Sequence, residues 1–423
     1  MLKAFLAFAG SGPISTPGLL PPKHEKLLLW LLTLTQLSVI LDFVIMMPLS
    51  PQIMKALDIG PAAFAGAVSA YSWCAGISGL LAATCIDRFD RKRLLLAVYA
   101  LFALSNLACG LATNYHMLLL SRAFAGITGG VLGALVLAIV GDVVPLARRG
   151  AAMGLVMSAF SLAAIAGVPL GVVLGAHMGW NTPFFLLVAL SVVIWVCALR
   201  VVPTLTAHIP HPPVPLARTV PQLWQLVSTP AHLRAFTLTA VMMVSQMLVA
   251  PFLSPIMVAN LGIAPEQIAW IYLVAGCATF FTARAVGRLA DRYGKRRVFA
   301  AVALGSSLPI LFVTHLPALT LAGLLVALPI FMVCMGGRNI PMQALQTAVP
   351  PPARRGAFMS VNSAVQQIFM GTGTWLGGLL LSTDAQGHIA GYGLNGWISV
   401  CCLLLGVAWV RNVRTAGEVP RAS

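Results

Sequence analysis

Ala147-Arg148-Arg149-Gly150-Ala151-Ala152-Met153 and Ala353-Arg354-Arg355-Gly356-Ala357-Phe358-Met359 are one phrase written twice, 206 residues apart. The same offset pairs Gly171 with Gly377, and an offset of 204 pairs Asp87-Arg88 with Asp291-Arg292. In a chain of 423 residues, self-similarity at about half the length marks two tandem copies of one unit. Each copy of the phrase is a basic interruption between long apolar runs, so the unit reads as a set of membrane-crossing helices. Units inserted the same way round are related by an approximate two-fold axis along the membrane normal, with a cavity between them near the midplane.

Composition points the same way. Hydrophobic residues make up 59% of the chain and charged residues 9%, against roughly 45–50% and about 25% in a soluble domain. That excludes a water-soluble fold. A span takes about 20 residues, and apolar runs fall near 27–49, 63–86, 94–113, 116–141, 151–176 and 183–202, then near 234–260, 268–290, 298–315, 318–347, 356–382 and 391–411. The stretch between the two sets, 203–233, holds seven prolines and three histidines with little apolar continuity, and suits a surface connector. The expected organisation is a cytoplasmic tail over 1–26, a six-helix bundle over 27–202, a cytoplasmic linker over 203–233, a second six-helix bundle over 234–411 and a cytoplasmic tail over 412–423.

A formal charge of +16 would make nucleic acid the first partner to consider for a soluble protein. Here the basic residues gather in short clusters between apolar runs, so the partner is the lipid bilayer and no nucleic acid is expected. One set of alternate loops carries Arg88, Arg91, Lys92, Arg93, Arg148, Arg149, Arg218, the run from Arg292 to Arg297, Arg354, Arg355, Arg411 and Arg414. The other set carries only Lys55. By the positive-inside rule the basic side, with both termini, faces the cytoplasm of a bacterial-type inner membrane. The apolar stretch within Met1 to Gly10 is too short for a signal-peptide core. All eight cysteines lie in or at the ends of apolar runs without metal-type spacing, so neither disulfides nor zinc is expected. His208 and His211 form an H-x-x-H in the Pro-rich connector with no third ligand, which reads as solvated loop. No metal and no cofactor is expected, and the chain carries no nucleophile elbow, H-E-x-x-H, P-loop or paired membrane carboxylates that would make it an enzyme.

After the eighth span the sequence runs Gly287-Arg288-Leu289-Ala290-Asp291-Arg292-Tyr293-Gly294-Lys295-Arg296-Arg297, and between the second and third it runs Ala83-Thr84-Cys85-Ile86-Asp87-Arg88-Phe89-Asp90-Arg91-Lys92-Arg93. Both resemble the G-x-L-A-D-R-x-G-R-K loop of the major facilitator superfamily. The first copy departs from it at Ala83 and Asp90, where the pattern has glycine, so the turn there is expected to rest on an aspartate that tolerates left-handed geometry. Arg122 to Gly126 resembles the family's R-x-x-x-G motif, and Gly167-Val168-Pro169-Leu170-Gly171 is similar to the G-P-x-x-G motif of exporters. The variant order suggests the arabinose-efflux and purine-nucleoside-efflux branch of the twelve-span drug:proton antiporters. Leu41 to Leu49 resembles the first-helix acidic motif of the same antiporters. The resemblance runs the length of the chain and implies an all-α membrane fold of two six-helix bundles with pseudo-two-fold symmetry.

Physical readings accompany these motifs. Glycines at four-residue spacing put small residues on one helix face and a proline bends it, which makes Gly167, Pro169, Gly171 and Gly175 a candidate pivot. Acids and bases at helix ends can bridge neighbours and latch the cytoplasmic side shut. The candidates are Asp87, Arg88, Arg91, Gly287, Asp291, Arg292 and Lys295, with Asp142 as a partner because family members place an acid there.

Charges at membrane depth are the sharpest signals, since an ionised side chain there costs a few kcal/mol or more unless paired or wet. Asp42 lies about 7 residues before the outer end of the first predicted span and Arg122 about 7 after the outer start of the fourth, both on the order of 10 Å deep. A pair between them reads either as a proton switch or as a permanent pin between two helices. Arg338, with Gly336, Gly337 and Pro341 around it, reads as an attractor for anionic substrate, or as a side chain that snorkels or meets a backbone carbonyl. Gln36, Met46, Gln246, Asn339, Asn362 and Gln366 are expected to line a substrate cavity.

The expected function is export of a small organic molecule (drug, sugar or nucleoside-like) in exchange for protons, by a monomer that alternates access. An importer driven by proton entry is the alternative, and a transporter-like sensor the more distant one. A cysteine placed at Arg148 is expected to resist impermeant thiol reagents in intact cells; labelling from outside would overturn the topology.

Overall fold

The structure, a computed structural model, describes residues 21–145, 148–206, 224–316, 319–351 and 354–416. His208, His211, Arg218 and most of both expected tails lie outside them, as do the alanines that open the two repeated phrases. In hydrocarbon every backbone N–H and C=O must be bonded within the protein, and a continuous helix does this within one segment. Eleven helices are long and apolar enough to cross a membrane. In order they are α1 (Pro22–Leu57), α2 (Pro61–Arg88), α3 (Arg91–Gly110), α4 (Tyr115–Val143), α5 (Arg149–Met178), α6 (Thr182–Val201), α7 (Pro230–Leu261), α8 (Pro265–Tyr293), α9 (Lys295–Thr314), α10 (Leu321–Gln346) and α12 (Tyr392–Asn412). The twelfth, α11 (Arg355–Leu379), has 25 residues but carries Asn362, Gln366 and Gln367, so composition alone does not mark it.

Breaks in the helices have local causes. A π-helical turn over Ala163–Gly167 sits just before Pro169 in α5. A 3₁₀ turn over Ala250–Phe252 interrupts α7 at Pro251. Helix α10 breaks at Arg338, after the Gly336-Gly337 pair. A small hairpin, β1 (Ser382–Thr383) with β2 (Ile389–Ala390), closes the loop before α12.

Contacts repeat between the two groups of six. Helix α2 packs on α4 as α8 packs on α10, α3 on α6 as α9 on α12, and α1 on α5 as α7 on α11. The seams between groups repeat too: α2 meets α11, α8 meets α5, and α1 meets the Leu253–Leu261 part of α7. This is the pseudo-two-fold arrangement expected from the repeat. Apolar side chains gain nothing by leaving lipid for one another, so close backbone approach has to hold the seams. A Cβ on Gly371 would lie 3.0 Å from the Ser69 carbonyl oxygen, and one on Gly76 3.0 Å from that of Ala364. The Ser69 hydroxyl donates to the Gly371 carbonyl at 2.8 Å, and the Trp73 indole donates to Thr372 at 3.2 Å. These contacts run from Pro61–Gly378, at the end away from the basic loops, to Gly76–Ala364.

One loop expectation changes. Asp90 is not left-handed; with φ −60° and ψ 120° it caps α3, its carboxylate accepting from the Lys92 N–H at 3.0 Å and the Leu205 N–H at 3.1 Å. Its counterpart Gly294 has φ +92°, so only the second copy needs glycine at that turn. A Cβ on Gly287 would meet nothing within 4 Å, so that glycine marks no close helix approach.

Gly371→Val should force α2 and α11 apart at the end away from the basic loops. Ala65, fully buried there, should then react faster as an introduced cysteine, whereas Gly154→Val, with nothing within 4 Å of its Cβ, should leave the rate unchanged. Equal rates in both backgrounds would refute this account of the seam.

Candidate functional site

Helix α1 carries Asp42 and α4 carries Arg122, and the structure brings them together. Nη1 of Arg122 donates to Oδ1 of Asp42 at 2.6 Å and Nη2 to the Asp42 carbonyl oxygen at 3.3 Å. Both side chains are 0% exposed. Helix α1 runs to Leu57, eight residues past the expected end at 49. Asp42 thus lies 15 residues before the end of α1 and Arg122 seven after the start of α4, so the pair does not rest on equal distances from the helix ends.

Arg122 is also covered by Tyr71 of α2, whose ring centroid lies 4.4 Å from its guanidinium carbon, a cation–π contact. Tyr71 in turn packs on Phe43, ring centroids 5.4 Å apart. The glycines of α4 make this possible. A Cβ on Gly126 would strike the Tyr71 carbonyl and one on Gly129 would lie 2.6 Å from its hydroxyl oxygen. The R-x-x-x-G spacing is thus a packing device: the glycine one turn after the arginine lets α2 come close enough to lay its tyrosine over the charge. Sequence reasoning missed Tyr71; the visible signal was a lone tyrosine inside the apolar run of the second span.

One oxygen of this carboxylate is spare. Asp42 Oδ2 and Arg122 Nε are buried without a hydrogen-bond partner among the described residues. Buried polar atoms usually have partners, so Oδ2 is an open acceptor in an otherwise closed pair.

The glycines expected as a pivot face α1. A Cβ on Gly167 would lie 2.9 Å from Leu41 Cδ1, while Gly171 and Gly175 would meet Ile45 and Leu49. Leu41, Ile45 and Leu49 are one ridge of α1 at four-residue spacing, next to Asp42. The π-helical turn below them touches the other half: a Cβ on Gly276 of α8 would lie 2.6 Å from the Ala164 carbonyl oxygen.

At the basic end, Arg91 is buried and holds two acids, Asp87 at 2.6 Å and Asp142 at 2.9 Å. All three belong to the first half, so in this arrangement they tie the ends of α2, α3 and α4 to one another and do not bridge the halves. The second copy is built differently. Asp291 is exposed with no ion pair among the described residues, Arg292 lies over Tyr293, and Lys295 donates to the Ala344 carbonyl at 3.2 Å. Arg148, absent from the expected gate, pairs with Glu25 at 3.0 Å.

The expected cavity residues divide. Gln246 of α7 accepts from the Asn339 amide of α10 at 3.1 Å, leaving Asn339 Oδ1 buried and unpartnered. Gln36 is half-buried with an unpartnered Oε1, and Gln366 is half-buried in α11. Met46 is 0% exposed inside an apolar cluster, so in this arrangement it packs the core. Asn362 is also sealed in: it accepts from Thr239 at 2.7 Å and donates to Gln346 at 3.1 Å, and Gln346 closes the triangle on Thr239. Arg338 is 0% exposed, with Nε, Nη1 and Nη2 all unpartnered. All eight cysteines are free thiols, and no cluster of metal-binding side chains occurs among the described residues.

The sequence matches the model of the Major Facilitator Superfamily over residues 32–247 and 235–423. The fold is similar to that of a D-xylose-proton symporter, with a TM-score of 0.76 and 14% identity over 93% of this chain and 99% of that one. It is also similar to a bacterial homologue of the human lysosomal transporter Spinster in an inward-facing, unoccupied conformation (TM-score 0.75, 15% identity, 93% and 97% covered). A point-mutant form of the nucleoside transporter NupG gives a TM-score of 0.70 at 13% identity over 92% and 99%. With the family's sequence pattern covering both halves and its twelve-helix fold repeated in full, the chain belongs to the major facilitator superfamily and is a multi-pass membrane transporter, not an enzyme.

Proposed function

We propose that the protein exports a small organic molecule in exchange for protons, the two halves rocking about a site between them. The observation that carries the reading is the Asp42–Arg122 pair. Asp42 is the only acid placed well inside a predicted span, so any carboxylate that carries a proton through the membrane is this one. Its free Oδ2 gives the proton a place to bind. Protonation there removes the negative charge that Arg122 faces and so changes what holds α1 to α4. A group whose neutralisation alters the contact between two helices couples proton binding to helix position.

The halves touch along α2–α11 and α5–α8 from the end away from the basic loops to mid-helix. With the basic loops in the cytoplasm of a bacterial-type inner membrane, that arrangement opens inward, and exposure of Asp42 to the outside requires the seams to part. The Asp87–Arg91–Asp142 cluster makes the cytoplasmic ends of α2, α3 and α4 one stiff block that swings as a unit, and Arg88, Asp291, Arg292 and Lys295 stand at the same end to meet it. The π-helical turn at Ala163–Gly167, beside Pro169, gives α5 a place to flex where it touches α8. Direction rests on the exporter-like glycine and proline motif of α5. Import with proton entry uses the same pair and is separated from export by uptake of labelled substrate into right-side-out and inverted vesicles. The protein is proposed to work as a monomer.

Within the gate cluster, Asp87→Asn is expected to cost less than about 1 kcal/mol of stability, because the Asp87 side chain is 63% exposed. Asp142→Asn, with its side chain 27% exposed, is expected to cost about 1–3 kcal/mol. Thermal unfolding of the two variants in the same detergent checks the order, and the reverse order would remove Asp142 from the cluster's core.

Asp42→Asn mimics the permanently protonated state. It should retain substrate binding yet lose uphill efflux driven by a proton gradient. Accumulation against the gradient with normal pH dependence would route the proton elsewhere and leave the pair as a structural pin.

A further inference from the structure

Among the described residues, two arginines in the spans, Arg122 and Arg338, are 0% exposed, and one carboxylate, Asp42, is 0% exposed with them. Asp42 answers Arg122. Nothing answers Arg338: its side chain is 0% exposed, and its three nitrogens have no hydrogen-bond partner among the described residues. Both structural readings of this arginine fail. It does not snorkel, since no part of it reaches the surface, and it meets no backbone carbonyl. An unpaired cation in a low-dielectric interior costs several kcal/mol even after relaxation, and a chain retains such a cost where a ligand removes it.

The surroundings are built. The glycines lie against α8 and α9: a Cβ on Gly336 would lie a tight 3.3 Å from Thr279 of α8, and one on Gly337 an ordinary 3.5 Å from Val302 of α9. The helix then breaks at Arg338. The adjacent Asn339 is tied to Gln246 of α7 through its Nδ2, leaving Oδ1 as an empty acceptor. A buried five-donor fork without a counter-charge fits an oxyanion, and the free Oδ1 of the next residue fits a hydroxyl or N–H.

We propose that Arg338 is the counterion for a carboxylate or phosphate on the transported molecule, with Asn339 Oδ1 accepting from a donor on the same molecule. The substrate is thus a small hydrophilic organic anion. This rests on the reading that a small organic molecule passes between the halves, but not on proton coupling or on direction.

The test needs neither a gradient nor a known substrate. The full chain is placed in nanodiscs of phosphatidylcholine, and thermal unfolding is followed with matched probes: gluconate against glucose, benzoate against benzamide, adenosine monophosphate against adenosine. At least one anion should raise Tm where its neutral counterpart does not. R338Q should weaken that anion about tenfold or more, and R338K should keep part of the affinity, having the charge without the fork. Without any probe, R338Q and R338M should unfold at or above the wild-type temperature, because each removes an uncompensated charge.

Anions that stabilise R338Q as well as wild type, neutral probes that act as well as anions, or no shift from any anion would each overturn the proposal. So would a clear fall in the unliganded Tm of both R338Q and R338M, which would mean a structural counterion. If replacing part of the lipid by phosphatidylglycerol reproduces the shift without a probe, the anion is a lipid headgroup and the substrate assignment is lost. Asp42→Asn is expected to leave the anion shift in place, so failure of the proton reading and failure of this one are told apart.

Discussion

An ionised group in hydrocarbon must find its counter-charge inside the protein, and much of the first half is arranged to satisfy that demand for Asp42 and Arg122. The two residues are 80 positions apart on different helices. Joining them fixes α1 against α4, and α2 must then come in close enough to cover the arginine. Gly126 and Gly129 of α4 supply the room for Tyr71, and Gly167, Gly171 and Gly175 of α5 supply it for the ridge of α1 that flanks Asp42. Neither set of glycines touches a charge, yet a side chain at either would displace the helix that carries one. Small residues and intramembrane charges here are two parts of one device.

The second half repeats the helix packing without repeating the chemistry. Where α1 meets α4 through an acid and an arginine, α7 meets α10 through the neutral amides of Gln246 and Asn339. Where the first half buries an ion pair, the second buries a closed triangle of Thr239, Gln346 and Asn362. Neutral amides and hydroxyls hold helices together at any pH and titrate nothing in the range a cell uses. Of the interhelical contacts just compared, the titratable one lies in the first half, while the unpaired cation Arg338 lies in the second.

Much of this was legible in the sequence, and what was not has identifiable causes. Spans, halves and the Asp42–Arg122 pairing follow from signals that a bilayer makes strong: long apolar runs, a repeated phrase, and rare charges at depth. Partners that depend on a rotation of a helix by one residue were not. Met46 and Asn362 read as cavity lining because polar or soft side chains in a span usually face something other than lipid, but that rule does not say whether the something is a cavity or a packed neighbour. Asp90 was misread for a different reason. Homology to the glycine of the second copy suggested a left-handed turn, whereas an aspartate in that place builds the helix start by capping it. Tyr71 was missed because an aromatic residue in a span carries no mark of the arginine it will cover.

If the two buried sites act as proposed, their charges set the energetics of exchange. An outgoing monoanion against one incoming proton moves two positive equivalents inward per cycle, and each is worth about 2.3 kcal/mol per 100 mV of membrane potential. A negative interior then drives both legs of the exchange, so the gradient of protons need not do all the work. The same anion carried inward with one proton would move no net charge and draw nothing from the potential. On these two proposals, export of an anion against protons draws on the membrane potential, whereas import of the same anion with one proton draws only on the concentration gradients.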